Sequence, residues 1–86
     1  MAPLTIKLTS TPLKYLNSLD KTTRQRIIEK LKDIAKAPMD VRLSYPLSGS
    51  AKRSSRVGRY RILFEIDSET LIVADIGPRG QIYRKV

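Results

Sequence analysis

The stretch Lys52–Ile66, KRSSRVGRYRILFEI, decides how this chain is read. Its first ten residues hold five cations, Lys52, Arg53, Arg56, Arg59 and Arg61, and no acid. Gly58-Arg59 suits a two-residue hairpin turn, because glycine at the first central position adopts positive φ without steric cost. That turn predicts Val57 opposite Tyr60, Arg56 opposite Arg61, Ser55 opposite Ile62 and Ser54 opposite Leu63. Alternation sends Tyr60, Ile62, Phe64 and Ile66 to one side of the sheet, and Arg61, Leu63 and Glu65 to the other. Two arginines face to face, about 5 Å apart at Cβ, repel and destabilise a sheet. A fold tolerates such a pair where a polyanion supplies the missing charge, and the polyanion expected here is RNA.

The whole chain points the same way. A net charge of +9 on 86 residues argues for an acidic partner. This length makes one domain, residues 1–86, with a single modest core. There is no Cys, which excludes disulfides and thiolate chemistry and fits a reducing, cytoplasmic setting. There is no His, and the eight Asp and Glu are scattered singly, so neither a metal site nor a cofactor is expected. The N-terminus lacks a basic segment followed by an apolar run, so no signal peptide is expected. No run approaches the ~18 apolar residues that span a bilayer, so no membrane partner is expected.

Working outward, Leu4 to Thr9 alternates apolar and polar residues and predicts a strand. Thr11-Pro12 predicts an N-cap with proline at the first helical position, ahead of Leu13, Leu16 and Leu19. Asp20 is the expected N-cap of a second helix running to about Lys36, with Ile27, Ile28, Leu31, Ile34 and Ala35 as its apolar stripe. Pro38 stops it. Met39 to Ala51 reads as a loop, with a short extended piece at Val41–Leu43. After the hairpin, Asp67-Ser68-Glu69-Thr70 predicts a turn into a strand Leu71–Ile76. Gly77-Pro78-Arg79-Gly80 is expected to break that strand before a last short one within Gln81 to Lys85. Consecutive helices followed by consecutive strands predict an α+β fold, β-α-α-β-β-β(-β), with a twisted antiparallel sheet packed against a helical hairpin.

That order of elements resembles the RelE/ParE superfamily of toxins. Leu47-Ser48-Gly49 followed by Arg56-Val57-Gly58-Arg59-Tyr60-Arg61-Ile62 is similar to the family's L-x-G … R-V-G-D-Y-R signature. Ile76-Gly77-Pro78-Arg79 through Ile82-Tyr83 is similar to its I-G-H-R-x-x-V-Y ending. The resemblance covers essentially the whole chain. It implies a toxin of a type II toxin–antitoxin system, held by a cognate acidic antitoxin. RelE-type members are metal-independent endoribonucleases that cut mRNA on the ribosome; ParE-type members share the fold and poison DNA gyrase. A longer C-terminal segment is expected of the ParE type, so the close end after Tyr83 favours the RelE type, with gyrase inhibition as the alternative.

Metal-free RNA cleavage needs a base for the 2′-hydroxyl, cations for the phosphorane, and an acid for the leaving oxygen. The resemblance implies Arg56 and Arg61 as a clamp on the scissile phosphate, a task that suits the bidentate guanidinium. It implies Arg79 beside the leaving oxygen, and Tyr83 stacked on a base or orienting the 2′-hydroxyl. Lys52, Arg53 and Arg59 are expected to bind RNA around them. Glu65 lies about 13 Å along its strand from Arg61, too far to serve the same phosphate. Three departures bear on chemistry. Ser54 stands where RelE-type enzymes carry a lysine, Arg59 where an acid is usual, and Pro78 where a histidine is frequent. No side chain here titrates near pH 7 unperturbed, so electrostatic stabilisation is expected to outweigh proton shuttling. A plain nucleic-acid-binding module is the third reading, disfavoured by only four Tyr and one Phe as stacking platforms.

Overall fold

The computed structural model describes residues 2–78. Within them the order is β1 (Thr5–Leu8), α1 (Ser10–Ser18), α2 (Lys21–Lys36), β2 (Tyr45–Pro46), β3 (Arg53–Val57), β4 (Tyr60–Asp67) and β5 (Thr70–Pro78). Five strands form one sheet in the order β1-β5-β4-β3-β2. The expected antiparallel pairing runs from β2 through β5, and β1 joins parallel to β5, with Ile6 opposite Leu71. The sheet is therefore mixed, because the chain crosses through both helices between its first strand and the rest. Leu16 of α1 and Ile27, Leu31 and Ile34 of α2 pack on Val57, Ile62, Phe64, Leu71, Val73 and Ile76. Both helices thus cover one face of the sheet; the opposite face carries Ser54, Leu63 and Arg61, all with little exposure, and the candidate site lies at its β2–β3 edge.

The hairpin has the expected register, Arg56 opposite Arg61 and Val57 opposite Tyr60. Gly58 takes φ +57°, the left-handed value that its turn position demands and that a Cβ would strain. Helix α2 also runs as expected: the Asp20 carboxylate accepts the Thr23 amide N–H at 2.9 Å, and the helix ends at Lys36, just before Pro38. Its stripe of Ile27, Leu31, Ile34 and Ala35 is buried.

Four local expectations need correction. Helix α1 starts at Ser10, so Pro12 is its third residue rather than its first; its missing N–H still falls among the four that have no helical partner. Thr9 precedes the helix, but its hydroxyl donates to the Val73 carbonyl at 3.3 Å instead of capping. Leu13 is 44% exposed, and Tyr15 packs on the core alongside Leu16 and Leu19. The extended piece in the long loop is Tyr45–Pro46, not Val41–Leu43, because Asp40 accepts the Arg42 amide and closes residues 40–44 into turns. Finally, Gly77-Pro78 does not break β5. Gly77 pairs with Arg61, and Pro78 ends the strand opposite Tyr60. The last strand expected at Gln81 to Lys85 lies outside the described residues.

Candidate nucleic-acid site on the sheet face opposite the helices

Cross-strand partners share a face, so the ladder itself lays out the side chains on the side opposite the helices. One row crosses the sheet through Tyr45, Ser54, Leu63 and Asp75; the next, nearer the turn, through Arg56, Arg61 and Gly77. Arg56 is exposed and its Nε lies 3.5 Å from the Gly58 carbonyl, at the weak limit of a hydrogen bond. Arg61 is 9% exposed, with its guanidinium carbon 5.7 Å from the Tyr45 ring centroid. A cation–π contact of this kind contributes about 0.5–2 kcal/mol, depending on desolvation. Tyr45 remains 42% exposed, leaving ring surface for a base. Gly77 opposite Arg61 puts no side chain over the guanidinium.

Where β2 ends, the rest of β3 has no strand beside it among the described residues, and a cleft of about 260 Å³ opens there. Arg56, Arg61 and Tyr45 line it from the sheet, Arg42 from the loop and Lys30 from α2. Four cations and one aromatic ring meet in a space the size of a small ligand, and among the described residues no carboxylate lines it. Arg42 is already occupied: Asp40 takes its Nε at 3.1 Å and its Nη2 at 2.8 Å. Those hydrogen bonds hold the Asp40 carboxyl at about 2 and raise Arg42 above its usual value. Arg56 and Lys30 are therefore the cleft's open anion donors, and Arg61, itself engaged at the Tyr45 ring, adds its charge to theirs.

The other candidate residues fall elsewhere. Arg53 projects to the helix-facing side, where its Nε donates to the Ser44 hydroxyl at 3.1 Å and Nη2 to the Ser44 carbonyl at 3.3 Å. It braces the loop that carries Tyr45. Ser54 is on the right face and borders the same cleft, but it is fully buried and its hydroxyl brings no charge where the family carries a lysine. Lys52 is half-buried just before β3, about 13 Å along the chain from Arg56. Arg59 sits at the turn beside Arg26 of α2, outside the Arg56/Arg61 cleft. Arg79 and Tyr83 lie outside the described residues. Sequence reasoning missed Tyr45, Lys30 and Arg42 as lining residues, and Asp75 as the carboxylate on the row beside Arg61. Tyr45 had a usable signal, since a residue before proline is biased to extended backbone and so to strand.

With the site in view, relatives are informative. The model of the family "ParE toxin of type II toxin-antitoxin system" matches residues 6–83. The chain belongs to that family. This toxin is 28% identical to Toxin RelG of Mycobacterium tuberculosis, over 96% of this chain and 99% of the relative. Its fold matches a chain of the toxin–antitoxin complex RelBE2 from Mycobacterium tuberculosis at a TM-score of 0.78 and 26% identity, covering 91% and 100% of the two chains. It also matches a chain of the archaeal RelE–RelB complex from Pyrococcus horikoshii at 0.76 and 20% identity, covering 93% and 99%. The relatives place this RelE/ParE toxin beside RelE-type members in both sequence and fold.

Proposed function

We propose that this toxin is of the RelE type, a ribosome-dependent endoribonuclease that cuts mRNA and so stops translation in the cytoplasm. The observation that carries the reading is the opposed Arg56/Arg61 pair beside the Tyr45 ring. Like charges so placed cost stability in the free protein, and a phosphodiester between them reverses the sign of the interaction. Tyr45 offers a stacking platform next to that phosphate, which suits a nucleotide better than a bare anion.

In the reaction, the 2′-hydroxyl gives its proton to water or a ribosomal base and bonds to phosphorus, and the phosphorus bond to the 5′-oxygen breaks as that oxygen takes up a proton. Arg56 and Arg61 hold the non-bridging oxygens and offset the charge that grows on the phosphorane. The low exposure of Arg61 strengthens that interaction, because few waters compete for the guanidinium. Arg79 and Tyr83 take the leaving-oxygen and base-orienting roles that the family resemblance implies. The ribosome supplies the mRNA in a fixed, bent path, and positioning of this kind lowers the barrier that isolated RNA would face.

An acidic antitoxin is the proposed partner. Complexes with RelB among the similar structures support it, and the net charge of +9 makes such an association fast and salt-sensitive. The family match itself favours a second reading, a ParE-like inhibitor of gyrase with no nuclease chemistry. Primer extension on mRNA from translating ribosomes, run beside a gyrase supercoiling assay, separates the two. New mRNA ends with unimpaired supercoiling support the RelE reading; intact mRNA with blocked supercoiling replaces it.

A further inference from the structure

Three clefts share residues along one edge of the molecule. Arg56 and Lys30, which line the Arg56/Arg61 cleft, also line a second of about 330 Å³. Arg26, Val57 and Gly58 carry that second cleft into a third of about 320 Å³, completed by Thr23, Arg59 and Tyr60. The continuity comes from the hairpin turn lying against α2. The Arg26 Nη2 sits 3.6 Å from where a Cβ on Gly58 would be, so the guanidinium covers the turn at contact distance.

We propose that this edge is a track for single-stranded RNA, with a second phosphate seat formed by Arg26 and Arg59 beyond the Arg56/Arg61 clamp. The choice of RNA rests on the ribonuclease reading above; the second seat rests on the geometry of the turn.

The third cleft has two arginines and, among the described residues, no lining carboxylate. Among the described residues no acid forms an ion pair with Arg26 or Arg59. Thr23 belongs to the first turn of a 16-residue helix, where the backbone dipole adds positive potential. Asp20, the acid at that helix end, has its carboxylate turned back onto the Thr23 amide. Tyr60 brings a hydroxyl to the same wall, a donor suited to phosphate oxygens, while the Thr23 side chain serves Asp20.

The middle cleft gives the track its direction. Glu29 and Asp33 line it from α2 together with Arg26 and Lys30, across from Arg56 and the turn. A polyanion passing there is pushed from the acids toward Arg56 and Gly58, in line with both seats. A chain with charge at every repeat fits two seats joined by a cleft where Arg26, Lys30 and Arg56 outnumber Glu29 and Asp33; an isolated anion uses only one seat.

The test is fluorescence anisotropy of a labelled uridine oligonucleotide with the purified full-length toxin across a salt series. Each phosphate contact to single-stranded RNA contributes about 0.7 to the slope of log K against log salt. Arg26→Gln/Arg59→Gln is expected to lower the slope by about 1.4, two contacts' worth. The same loss should add to that of Arg56→Gln/Arg61→Gln. If the double variant is unfolded by circular dichroism, Arg59→Gln alone, at an exposed turn position, is expected to lower it by about 0.7. A slope equal to wild type in the folded variant overturns the second seat. Poly-glutamate binding as tightly as the oligonucleotide, with equal loss in the variant, overturns it in favour of an acidic protein. The slope and mRNA cleavage are read separately. Slope loss without cleavage by wild type removes the nuclease and keeps the seat; cleavage with an unchanged slope removes the seat alone.

Discussion

The two faces of one hairpin differ as much as any two parts of this molecule. On the helix side of β3 and β4, Ser55, Val57, Ile62 and Phe64 are buried in or beside the core, and Tyr60 leans on Tyr15 with ring centroids 6.3 Å apart. On the other side, one residue along in each strand, Arg56 faces Arg61 beside an exposed tyrosine. The backbone and its hydrogen bonds are common to both faces, so side chains alone set the contrast. The first face is arranged for stability. The second accepts a local cost that a stability-driven sequence would avoid, which is why function is placed there.

The comparison breaks most visibly if the core side is damaged. Phe64→Ala empties a fully buried site, and a loss of about 3–5 kcal/mol is expected in urea unfolding. A loss well under that would mean that the helices do not rest on this face as described. Gly58→Ala tests the turn that joins both faces. With φ at +57° the added Cβ should cost about 1–2 kcal/mol without clashing with Arg26, so binding of the oligonucleotide should fall less than stability.

On the cationic side the expected sign reverses. Arg56→Ala relieves the opposed charges, so its unfolding free energy should equal wild type or exceed it by about 0.2–1 kcal/mol, while growth inhibition is lost. A clear drop in stability would mean that Arg56 is structural. The smallest effect concerns the far end of α2. Hydrogen bonds from Thr23 hold the Asp20 carboxyl below its ordinary range. Its contribution is present above the unfolded carboxylate pKa and lost as pH falls through the lowered folded value. Asp20→Ala should therefore lower the melting temperature slightly at pH 7 and flatten its acid dependence. Thermal melts between neutral and strongly acid pH would read both.

Some of this was legible before any coordinates. The hairpin register followed from Gly58-Arg59 and strict alternation, and α2 from its Asp20 cap, its Ile/Leu stripe and Pro38. These signals act over a few residues, where local chemistry decides. The errors fall where distant chain intervenes. Thr9 gives its hydroxyl to Val73, so α1 begins without the side-chain cap that Thr11 was expected to supply. The partnership of β1 with β5 joins segments more than 60 residues apart, and no periodicity announces which edge a strand will take. Gly77-Pro78 reads as a breaker locally, yet the last β5 residues need no further ladder donor from the proline. For the site, paired arginines on one hairpin were readable from their spacing. Tyr45, Lys30 and Arg42 come from a strand, a helix and a loop that meet only in three dimensions.

Cleavage of mRNA by Arg61→Gln on translating ribosomes, with the variant's urea midpoint measured in parallel, tests the central claim most directly. The account predicts that mRNA ends seen with wild-type protein fall to background while the protein stays folded, with a stability loss no larger than the Arg61–Tyr45 contact, about 0.5–2 kcal/mol. Wild-type cleavage by a folded Arg61→Gln protein would contradict it, and the face opposite the helices would lose its claim to the chemistry.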